Sequence, residues 1–101
     1  MAQSKSTELL DAKFDLPDSL TVRQQLAIAH KIASTARDSL ILAWWEITKT
    51  HMTNWQSAAI PDPAVIDLDT DTRREVAEII FWCANATAGW YTELGELEKN
   101  S

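Results

Sequence analysis

Five tryptophans in a chain of 101 residues constrain this fold more than any other feature. That much aromatic surface must be covered by the chain's own helices or by a partner. Trp44, Trp45 and Trp55 lie on one stretch of helical periodicity, and Trp82 and Trp90 lie on another. Ordering about 80 residues costs on the order of 120 kcal/mol at roughly 1.5 kcal/mol each, so a small core gains from side chains this large. The tryptophan count alone does not separate core from interface.

The remaining pattern reads as helices joined by short breaks. Residues 1–13 are mostly polar, with Leu9 and Leu10 as an adjacent apolar pair, which predicts a mobile N-terminal arm tethered by Phe14 and Leu16; a segment that orders against a partner is the other reading. Thr21 with Gln24 fits a capping box. Val22, Leu26, Ala29 and Ala33 then form one helical face, widened by Ile28 and Ile32. The apolar period resumes at Leu40, Ile41, Trp44, Trp45, Thr48, Met52 and Trp55. One helix over 22–57 would be about 54 Å long, against a radius of gyration of about 13 Å for a domain this size. Two helices, 22–33 and 36–57, are therefore preferred, with Thr35 and Asp38 as a second capping pair. Pro61 and Pro63 end that region. After a connector anchored by Val65, Ile66 and Leu68, a last helix runs from about 73 to 94. Its stripe is Val76, Ile80, Cys83, Thr87, Trp90 and Leu94. Gly89 lies inside this helix, where it would permit close helix approach, and Gly95 reads as its stop. The expectation is an all-α fold, a small three- or four-helix bundle over residues 14–97, with the arm at 1–13 and a frayed end at 98–101.

Charge and cysteine content narrow the function classes. The net charge is −6, and residues 61–101 carry nine acids against three bases. That balance argues against nucleic-acid binding, which needs Lys and Arg on phosphates, and favours a basic protein surface. A single cysteine, Cys83, excludes an intrachain disulfide framework. No apolar run reaches the roughly 18 residues of a membrane span, so a cytoplasmic location is expected, including a host cytoplasm for a viral gene.

No catalytic residue, metal ligand or cofactor is nominated. Glu46 lies five positions before His51, which does not stack them on one helix face, and His30 could reach His51 only through tertiary packing. Cys83 sits on an apolar stripe with no base beside it. Asp67, Asp69 and Asp71 with Glu78 begin like a calcium loop, but Thr72 stands where such a loop needs Gly. The aspartates also suit a helix N-terminus. Glu75 and Glu78 read as an exposed polar face beside Arg74, and Arg73 with Arg74 is too small a basic patch for nucleic acid.

Adjacent helix positions diverge by about 100°, so Trp44 and Trp45 cannot both enter one seam. Trp44 is expected inward, with Trp45 packing on Met52 or under a partner. Trp55 is expected to close one end of the bundle against Phe14, Leu16 or the connector. The interface candidates are Trp45, Met52, Trp82 and Trp90, with Trp45 and Trp82 foremost.

Three stretches resemble small helical accessory proteins encoded in bacteriophage tail gene regions. They are Phe14-Asp-Leu-Pro-Asp-Ser-Leu-Thr-Val-Arg-Gln-Gln-Leu26, the Trp45-to-Trp55 segment with Ile60-Pro61-Asp62, and Val76-Ala-Glu-Ile-Ile-Phe-Trp82 with the closing Leu97-Glu-Lys-Asn100. Trp44 and His51-Met52-Thr53 depart from that pattern. The resemblance implies an all-helical, non-catalytic assembly or chaperone protein that binds a phage structural or host protein. A small viral inhibitor or regulator of a host protein is the alternative. A homodimer through the two long helices is expected as well.

Overall fold

The computed structural model describes residues 3–99, with side chains described through residue 95. It corrects the all-α expectation. The described residues fold as three α-helices and one three-stranded antiparallel sheet in the order β1-β2-β3. The elements are β1 (Gln3–Ser6), β2 (Lys13–Leu16), α1 (Val22–Ala33), α2 (Leu40–His51), β3 (Thr53–Gln56) and α3 (Arg74–Lys99). The radius of gyration, 13.8 Å, is that of one domain.

The expected mobile arm is the source of the sheet. Gln3 pairs with Leu16 and Ser6 with Lys13 in a hairpin. The domain boundary expected at residue 14 thus falls inside β2. Lys-Phe-Asp-Leu alternates with period two, so Phe14 and Leu16 point into the core and Asp15 points out. Gln-Ser-Lys-Ser has no apolar face, and its strand is held by backbone pairing to β2, which periodicity cannot register. Leu10 and Asp11 turn the hairpin at positive φ (54° and 49°). The Leu10 carbonyl there accepts hydrogen bonds from the Ala58 amide (2.8 Å) and the Ser57 hydroxyl (3.0 Å).

The expected helix over 36–57 is shorter at both ends. Ser34 and Thr35 donate their hydroxyls to the His30 and Lys31 carbonyls and close α1. Ala36 is extended, and a 3-10 turn at Arg37–Ser39 leads into α2. Thr35 therefore ends one helix and does not cap the next. At the other end Met52 is extended, and Thr53–Gln56 adds to the sheet as β3. Lys13 pairs with Gln56 and Asp15 with Thr53, so β3 carries one extra residue across that step. Asn54, at φ 56°, supplies the bulge, and its amide donates to Asp15 Oδ2 at 2.8 Å.

The helix contacts step forward together. Ile41 and Ile80 line one cleft, the Thr48 and Thr87 hydroxyls meet at 2.6 Å, and the His51 and Trp90 rings lie 6.0 Å apart. So α2 and α3 run in the same direction. The whole predicted stripe of α3, Val76, Ile80, Cys83, Thr87, Trp90 and Leu94, is buried. The capping box of α1 forms as expected, with Thr21 and Gln24 bonding each other's backbone amides. Gly95 does not stop α3, which continues through Lys99. Residues 1–2 of the expected arm and 100–101 of the expected frayed end lie outside the described residues. Gly89 meets open space where a Cβ would point, so no neighbouring helix in the chain makes use of it.

Two expected orientations change. Trp45 is buried and Trp44 is half-buried, tilted against Tyr91 at 5.9 Å. Because α2 is packed by α1 and α3 and touches the shared core, its buried positions (Ala43, Trp45, Ile47, Thr48) cover more than one stripe. On α1, Ile28 and Ile32 pack inward, while Val22, Leu26, Ala29 and Ala33 are exposed. The isoleucines bring more apolar surface than Ala29 and Ala33. The Tyr91 hydroxyl, donating to the Gln25 carbonyl at 3.3 Å, fixes that rotation.

Candidate functional site

The sequence-derived interface candidates occupy two kinds of position. Trp45 and Trp90 fill the chain's own core, at 1% and 0% exposure. The Trp90 indole donates to the Pro17 carbonyl at 2.6 Å. Lys49 lies over the Trp45 ring at 5.6 Å and pairs with Glu46 at 2.9 Å. Trp82 and Met52 are half-buried against the core, with Trp82 edge-on to Phe14 at 5.4 Å. Trp55 stacks on the other side of Phe14 at 6.1 Å, as expected, and donates its indole N–H to the Ile60 carbonyl at 2.7 Å. The tryptophans therefore act chiefly in knitting the sheet to the helices.

The groups that could carry chemistry are held in structural roles. Cys83 is buried, and desolvation pushes its thiol up to about 12, so almost no thiolate exists near neutrality. His51 rests on Trp90, and partial burial lowers its imidazole pKa. It shares a small depression of about 200 Å³ with Lys31, Glu46, Ile28, Ile47 and Thr50. His30 is exposed on α1. Asp71 takes a two-pronged contact from Arg73, at 3.1 Å from Nε and 2.8 Å from Nη2. Those bonds hold its carboxyl below the usual carboxylate range. Asp67 accepts from the Asp69 amide at 3.0 Å and thereby closes a turn. Arg74 reaches Glu78 one helical turn on, at 3.6 Å. Among the described residues, no three His, Cys, Asp or Glu side chains come together as a metal site.

The surface carries a different signal. Where α2, α3 and the connector meet, Ile41, Leu42, Leu68, Val76, Ala77 and Ile80 line an apolar cleft of about 270 Å³. Leu42 and Leu68 on this cleft are 51% and 43% exposed. Val65 on the same connector is also strongly exposed, as is Phe81, next to Ile80 on α3. Asp71 and Arg73, already paired, form the polar rim. Sequence reasoning missed this surface, although a signal existed. Leu42 and Phe81 are large apolar residues off the stripes of their own helices, and a position that is apolar without core periodicity calls for a covering partner.

Comparison with protein-family models, curated proteins and solved structures finds no match. Among the described residues, no helix is long and apolar enough to cross a membrane.

Proposed function

We propose that this chain is a non-catalytic protein-interaction module, of the kind used as an assembly or tail accessory protein by bacteriophages. The observation that carries the reading is the apolar cleft between α2, α3 and the connector, with Leu42 and Leu68 partly open to water. Exposed leucines beside a concave apolar surface favour an aliphatic or aromatic anchor from another protein. The phage assignment is supported by the sequence resemblance over residues 14–100. A second reading, blockade of a basic host protein, is favoured by one feature. Residues 61–72 hold four aspartates and no base.

The test is site-specific photo-crosslinking in cells that express the protein with its native gene neighbours. A crosslinking amino acid at Leu42 should capture a discrete protein, and Leu68→Asp in the same chain should abolish the adduct. A diffuse background equal to that from a crosslinker at exposed Lys13 would sink the reading. A captured phage structural protein favours assembly, and a captured basic host protein favours blockade.

A further inference from the structure

We draw no further inference here: the strongest candidate, the outward apolar stripe of α1 on which Val22 and Leu26 are 71% and 64% exposed, is an unpartnered helix face, and nothing in the structure shows what covers it.

Discussion

Replacing Phe14 by alanine tests the central structural claim, that the N-terminal segment belongs to the core. Phe14 has no exposed surface and sits between Trp55 and Trp82, at ring separations of 6.1 and 5.4 Å. Removing a buried phenylalanine costs about 3–5 kcal/mol in lost transfer free energy and cavity formation. Each aromatic pair is worth about 0.5–1.5 kcal/mol beyond area burial, which places this site towards the upper half of that range. A domain of this length has a total stability of about 5–15 kcal/mol. A loss of about 4 kcal/mol therefore consumes between a quarter and most of it. Urea unfolding followed by tryptophan fluorescence reads the change directly, because two of the five tryptophans touch the substituted ring. With a urea slope of about 2 kcal/mol per molar, the midpoint should fall by about 2 M. Phe14→Leu keeps most of the volume and should cost less than half as much. A midpoint shift below about 0.5 M for Phe14→Ala would correspond to about 1 kcal/mol. Such a shift would refute the reasoning, since it is what a loosely tethered arm would give.

Two further expectations concern α2 and α3. His51 has a lowered imidazole pKa in the folded chain because burial disfavours its cation. Between that lowered value and the unfolded value of about 6.5, the unfolded chain binds more protons. Its contribution is thus fully present above the unfolded value and is lost as pH falls toward the folded one. His51→Gln should flatten that part of a stability–pH curve measured by urea unfolding; an unchanged slope would count against the burial argument. Gly89 lies within α3, with open space where a Cβ would sit. Gly89→Ala should raise stability by about 0.5–1 kcal/mol, through lower unfolded-state entropy and better helix propensity, and a thermal melt that falls would contradict this.

What the sequence disclosed depended on which force sets each element. The α3 stripe was readable because six apolar or small residues keep one period and all face the core. The start of α1 was readable because Thr21 and Gln24 satisfy each other locally. The sheet was not, because β1 is made of polar residues and stabilised by backbone bonds to β2. Only Phe14 and Leu16, alternating with charged residues, carried a trace of it. The end of α2 was hidden because Met52 and Trp55 fit a helical period as well as they fit an extended exit. Trp44 and Trp45 were interchanged for a related reason. A helix buried on several sides has no single inward direction, and a one-face rule then fails. The apolar cleft was visible only as residues left over once the stripes had been assigned.

The bond from Trp90 to the Pro17 carbonyl spans 73 positions, and this bears on how the protein is made. A chain synthesised from its N-terminus presents Phe14 and Leu16 to solvent well before the tryptophans of α3 exist to cover them. The β1–β2 hairpin can form early, since its contacts are local, but its apolar face is only partly covered, by Trp55 on Phe14, until α3 emerges with Trp82. Completion of that burial is thus tied to the synthesis of α3. Chains interrupted before α3 would carry a partly uncovered sheet face, and exposed apolar surface of that kind favours aggregation.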